Sequence, residues 1–370
     1  MELDEDKVEF DKDVQEARKI AAEAEGGTRH VSGWSSWIVP VLALSWSIFQ
    51  LSIASWLLMD STYVRAIHLA FAISLVFLTH PTFKKHKKNK FLNYFANKNR
   101  YTILDYATVI AAALFALYLM LDFLGISNRQ GAPITRDLII GFLLVILLLE
   151  AARRALGPAL PIVATVFILY SFFGPYMPAV LAFKGVSINR FIGQITMSTE
   201  GIYGVPLDVS AQIVFLFVLF GAMLDKAGAG KYFVDLAFSM LGGFKGGPAK
   251  AAVLASGLTG MVSGSSIANT VTTGTFTIPL MKSVGYPDYK AGAVEVACST
   301  NGQLMPPIMG AAAFIIAEYC NIEYFEVIKA AFVPAVVSYI ALMYITHLEA
   351  SKLGLKGVPR NELPKFWPTF

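Results

Sequence analysis

From Ala251 to Met281 the chain runs for 31 residues without one acidic or basic side chain, bracketed by Lys250 and Lys282. A helix needs about 20 apolar residues to cross a bilayer. The run is therefore too long for one crossing and too short for two with a turn between them. With both lysines on the cytoplasmic side, it has to enter and leave on that side. This predicts a re-entrant helical hairpin over residues 251–281, with its tip between Ser263 and Asn269. Non-helical backbone at membrane depth survives only inside protein or beside a water-filled cavity. The small polar side chains of VSGSSIANTVTTG, Val262 to Gly274, therefore have a site to face.

A second interruption follows. Between Ala291 and Ala317 the only charged residue is Glu295, but the run breaks at STNGQLMPP, Ser299 to Pro307. Pro306 and Pro307 remove backbone donors and Gly302 lets the chain unwind, so residues 288–318 read as a discontinuous helix. Half-helices that meet near the midplane aim N-terminal amides at anions, while unwound carbonyls and neutral oxygens suit Na⁺. The candidate ion- and substrate-binding set is Ser263, Gly264, Ser265, Ser266 and Asn269 from the first break. Ser299, Thr300, Asn301, Gly302, Gln303, Pro306 and Pro307 come from the second. Sodium is the expected coupling ion and H⁺ the alternative, with Glu295 as its carrier, because a carboxylate inside a span is a functional candidate by default. Against that, Glu295 follows Lys290 by five residues and is expected to reach water at the cytoplasmic end.

The rest of the chain sets these segments in a membrane. Of 370 residues 55% are hydrophobic and 15% charged, and the mean hydropathy is +0.57, which fits an all-α polytopic membrane protein with about eight spans and one hairpin. Residues 1–36 read as a cytoplasmic tail with a helical stretch near Val14 to Ala24. Four spans follow within residues 37–155, near Trp37–Leu58, Tyr63–Thr79, Ile103–Leu124 and Leu138–Ala152. Further spans are expected near Pro158–Tyr176, Val205–Leu224 and Ala331–His347, the broken helix being the eighth. A stretch over Met177–Gly204 is expected along the outer interface, and a short helix over Lys231–Phe244 on the cytoplasmic face. Seven lysines and arginines between Lys84 and Arg100 place that loop, and with it both termini, in the cytoplasm. The net charge of +4 is explained by such loops, so membrane lipid is an expected partner and nucleic acid is not. Cys298 and Cys320 read as packing residues, and the histidines have no metal-ligand spacing.

The order GAMLDKAG, GGFKGGPAKAAVLASGLTGMVSGSSIANT, IPLMKSVGY and STNGQLMPPIMGAAAFIIAEY resembles the large membrane subunit of tripartite ATP-independent periplasmic (TRAP) transporters, from about Leu207 to Tyr344. NGQLMPPIMG resembles the branch that works with a TAXI-type periplasmic binding protein, and residues 37–155 resemble the small four-helix subunit fused in front. The resemblance implies an elevator mechanism in the cytoplasmic (inner) membrane, with residues 156–350 as the first repeat of the large subunit. It also implies uptake of an organic acid or similar solute, driven by an ion gradient and not by ATP, so no enzyme is expected. The family's large subunit has two inverted repeats, and no second serine-rich hairpin occurs here. Residues 351–370 then read as a cytoplasmic linker, and the missing second repeat as an expected partner.

Two other classes fit less well. An intramembrane enzyme needs clustered catalytic carboxylates or histidines, which the sequence lacks. A channel gives the four-helix front no work to do. A sodium/carboxylate transporter that needs no binding protein is the nearest rival.

Overall fold

The computed structural model describes residues 29, 31–82, 100–359 and 361–369. The expected helical stretch near Val14–Ala24 and the basic run Lys84–Lys90 lie outside them. The described residues divide into two compact units, one ending at Gln212 and the other beginning at Ile213.

The first unit carries α1 (Ile38–Ser55), α2 (Ser61–Thr79), α3 (Ile103–Leu121), α4 (Phe123–Asn128), α5 (Thr135–Leu156), α6 (Ala159–Phe173), α7 (Ile188–Thr196) and α8 (Val205–Val209). Its helix starts are written in the sequence. The Asp60 carboxylate accepts the Thr62 N–H at 2.8 Å at the head of α2, and Thr102 with Asp105 closes a capping box at the head of α3, which satisfies amide donors that the first turn leaves free. The core forms where α2 and α3 pack through Ala66, Leu69, Ala70 and Ala116, joined by Leu144 and Tyr203. Buried Tyr203 donates its hydroxyl to the Ala116 carbonyl at 2.7 Å. Beyond α3, Arg129 Nε donates to Asp137 Oδ2 at 2.7 Å and Tyr118 donates to Asp137 Oδ1 at 2.5 Å. These bonds hold the Asp137 carboxyl well down, at about 2.

The second unit carries α9 (Phe215–Lys226), α10 (Ala229–Leu241), α11 (Gly247–Ser263), α12 (Ser266–Ser283), α13 (Asp288–Gly302), α14 (Ala311–Cys320), α15 (Tyr324–Lys352) and α16 (Phe366–Thr369). Helix α11 lies at its centre, because Ala249, Ala251, Ala252, Ala255, Gly257 and Gly260 are small enough for other backbones to approach. The buried face of α10 is Val234, Ala237 and Phe238, with Met240 exposed. The segment after α15 folds back: Val358 N–H donates to Gly242 O at 3.0 Å, and Leu363 packs with Phe238 and Leu280.

Among the described residues six helices are long and apolar enough to cross a membrane: Trp34–Ser55, Ser61–Thr79, Ile103–Leu121, Ala159–Tyr176, Val205–Lys226 and Tyr324–Lys352. Eight were expected from the sequence. The fourth expected span is α5, which carries Arg136, Asp137, Glu150, Arg153 and Arg154 at its ends. The broken helix is divided between α13 and the short α14, so neither piece has the length of a span.

Candidate functional site

Helices α11 and α12 fold back on one another at Gly264, whose φ of +61° is the left-handed conformation that glycine adopts without strain. Ser265 opens α12 as its N-cap, accepting the Ala268 N–H at 3.2 Å. A Cβ on Gly264 would overlap the carbonyl oxygen of Met309, and Ile308 N–H donates to Met261 O at 3.4 Å. The turn thus sits against the irregular segment between α13 and α14. That segment holds a cis peptide between Pro306 and Pro307, and Gly310 N–H donates to Gln303 O at 2.8 Å. Across the junction Gln303 Nε2 donates to Ser266 Oγ at 2.9 Å. Near the turn Ser263 Oγ and Thr259 Oγ1 are buried, with no hydrogen-bond partner among the described residues. Unpaired buried hydroxyls are costly, so the turn is the place where a ligand oxygen or a cation would restore balance.

Below the turn the three helices hold a second polar cluster. Glu295 on α13 is fully buried. Its Oε2 accepts the Thr277 hydroxyl at 2.5 Å, and its Oε1 accepts Ser299 at 3.0 Å, Ser256 at 3.3 Å and, closest, Thr273. Asn269, also fully buried, donates its amide to Ser256 O at 2.9 Å.

The residues named from sequence therefore divide. Ser263, Gly264, Ser265, Ser266 and Gln303 gather at the turn, with Pro306 buried beside it. Asn269 and Ser299 do not reach it; both are turned into the cluster between helices. Thr300 bonds its own helix at Val296 O, at 2.7 Å, and Asn301 reaches Ser338 on α15 at 2.5 Å. Gly302 is a packing position, where a Cβ would stand 2.7 Å from Asn269 Nδ2. The expectation that Glu295 reaches cytoplasmic water is corrected: α11 and α12 cover the face of α13 on which it stands. Sequence reading missed Thr273, Thr277, Thr259 and Ser256. The signal was there in the four-residue spacing of Asn269, Thr273 and Thr277, and of Glu295 and Ser299, which puts each set on one helical face.

A multi-pass helical chain in which a helical hairpin closes on an interrupted helix falls in the class of membrane permeases, where discontinuous helices build solute and ion sites. The chain belongs to the tripartite ATP-independent periplasmic transporter family, DctM component, whose profile matches residues 143–370. It is 27% identical over 267 residues to the isethionate TRAP transporter permease of Oleidesulfovibrio alaskensis, covering 68% of this chain and 39% of that protein. It is 30% identical over 147 residues to the C4-dicarboxylate TRAP transporter large permease of Pseudomonas aeruginosa, with 40% and 34% covered. With the sialic acid TRAP transporter permease of Haemophilus influenzae it is 29% identical over 144 residues, with 39% and 23% covered. The chain spans less than half the length of each of these relatives.

Proposed function

We propose that the chain is a membrane permease component for ion-gradient-driven uptake of an organic acid or similar solute, delivered by a periplasmic binding protein of the TAXI type. Residues 37–155 act as a fused small-subunit scaffold in the inner membrane, with both termini cytoplasmic. Hairpin and broken helix move together as the carrier in an elevator mechanism, working with the remainder of the permease. The observation that carries this reading is the junction of the Gly264 turn with the Gln303–Gly310 break. There the Gln303 amide meets the Ser266 hydroxyl, the Met309 carbonyl lies against Gly264, and the Ser263 and Thr259 hydroxyls are buried with no hydrogen-bond partner among the described residues. Such oxygens can hold Na⁺ without changing protonation. The three relatives named above carry isethionate, C4-dicarboxylates and sialic acid in their names, all of them organic anions, which supports an organic acid as solute.

The test is uptake of labelled organic acids into proteoliposomes that hold this chain with the rest of its permease, with and without a TAXI-type binding protein. Uptake is expected to require both the binding protein and an inward sodium gradient. Uptake that is indifferent to the binding protein would favour the rival sodium/carboxylate carrier.

A further inference from the structure

Glu295 is a buried carboxyl that pairs with no cation among the described residues. Among the described residues the lysines of the helices around it are engaged elsewhere: Lys250 with His347, Lys282 with Asp288 and Lys290 with Glu349. Lys250 and Lys282 are the only ionisable side chains of α11 and α12, and both stand at the base of the hairpin. Among the described residues the Cys298 thiol, three positions along the same helix, and the Tyr339 phenol on α15, whose hydroxyl donates to Cys298 O at 3.1 Å, are further titratable groups on this side. Both are neutral acids at neutral pH. An unpaired charge at such a place is costly, so a carboxyl there holds either a proton or a full set of donors.

The hydroxyls around it serve both states. Thr273 Oγ1 stands against Glu295 Oε1, and it also lies 2.8 Å from the Asn269 carbonyl of its own helix. Thr277 Oγ1 is 2.5 Å from Glu295 Oε2 and 3.1 Å from the Thr273 carbonyl. Each hydroxyl carries one hydrogen and can also accept. With Glu295 ionised, both hydrogens turn to the carboxylate. With Glu295 protonated, the new O–H donates to a threonine oxygen and that hydroxyl turns its own hydrogen to the carbonyl four residues back. Every group is satisfied in both states, and no heavy atom has to move. A metal ion fits less well: the Glu295, Thr273, Ser256 and Ser299 oxygens already touch one another, so a cation would have to part them, whereas a proton needs no room.

We propose that Glu295, with Thr273 and Thr277 as reorienting hydroxyls, is an exchangeable proton site in the carrier, separate from the ion site at the Gly264 turn. It takes one proton from water when the cluster opens and gives it back to water, so the only bond made and broken is the carboxyl O–H. The role of this proton in transport rests on the permease reading above; the existence of the site does not.

Infrared titration of the full chain in lipid nanodiscs tests the site directly. A protonated-carboxyl C=O stretch that rises and falls reversibly with pH should be present in the wild type and absent from Glu295→Gln. Thr277→Val takes a donor from the ionised form, while the protonated form can still donate its O–H to Thr273, so its midpoint should move up by about one to two pH units. Should Glu295→Gln not fold, the shift in Thr277→Val decides alone. A Glu295 band that does not change over the whole pH range in which the protein stays folded would mean a permanently neutral structural acid, and would overturn the proposal. So would a Thr277→Val midpoint identical to that of the wild type. In the complete transporter, Glu295→Gln should abolish the pH dependence of uptake and leave its sodium dependence. If the wild type takes up nothing, the permease reading fails while the infrared result stands.

Discussion

Gly260 and Gly302 meet backbone to backbone: a methyl group on Gly260 would overlap the Gly302 Cα and stand 2.8 Å from its carbonyl oxygen. This contact sets α11 against the end of α13 immediately below the turn and the break. Backbone cannot swing aside as a side-chain end can, so Gly260→Ala should cost about 1–3 kcal/mol as overpacking. Gly292 on α13 is the control, with no atom within 4 Å of the position a Cβ would take. There alanine should be neutral or stabilising by up to about 1 kcal/mol through helix propensity. Melting temperatures of the two variants in detergent check this; equal losses would show that the close approach is not what Gly260 is for.

In the first unit, Arg65 Nε donates to Asp208 Oδ1 at 2.8 Å and Arg65 Nη1 to the Tyr203 carbonyl at 2.8 Å, with both side chains less than a fifth exposed. Removing one partner leaves the other charge largely out of water. Asp208→Leu or Arg65→Met alone should therefore each cost about 3 kcal/mol, while the double substitution costs much less than the sum. A double-mutant cycle by denaturant unfolding measures the coupling. Strict additivity would mean that the pair is a solvated contact.

These two relationships mark what the sequence could and could not say. A turn within residues 251–281 was legible because 31 residues fit neither one crossing nor two, and Gly264 among serines was the natural place for it. The charged ends of α5 were equally plain, since Arg136, Asp137, Arg153 and Arg154 have nowhere to go but the edges of an apolar run. What stayed hidden was direction. Asn269 and Ser299 are polar residues beside a break, but whether they face the turn or the helix behind depends on which helices cover them. Glu295 shows this most clearly. Its distance from Lys290 along the chain suggested water, and two further helices removed it from water. Spacing within one segment names a face; only packing between segments says what that face meets.

Asp137 gives a pH dependence. It stands ahead of the apolar part of α5, and its bonds from Arg129 and Tyr118 lower its carboxyl from 3.8 to about 2. A carboxyl held down in the folded state stabilises fully above its unfolded value. That contribution, about 2 kcal/mol, is lost as pH falls from about 4 toward 2, and roughly half is gone by pH 3. The melting-temperature gap between wild type and Asp137→Asn should be constant above pH 5 and shrink below pH 4, by roughly these proportions. A gap that is unchanged at pH 3 would place the effect outside this carboxyl's ionisation.

The turn itself makes the sharpest distinction between a structural and a binding role. Ser263 Oγ is buried without a partner among the described residues, so in the absence of a ligand Ser263→Ala removes a cost of about 1 kcal/mol or more and should leave the protein at least as stable as wild type. A cation that binds the folded state at the turn adds stability by mass action, about 2.7 kcal/mol at one hundred times its dissociation constant. Melting in sodium chloride against choline chloride at equal ionic strength separates the two effects. Wild type should gain stability with sodium, and Ser263→Ala should start level or higher in choline and gain clearly less. A variant that is weaker than wild type in both salts, and stabilised by sodium to the same extent, would make Ser263 a packing residue and remove the turn from the ion site.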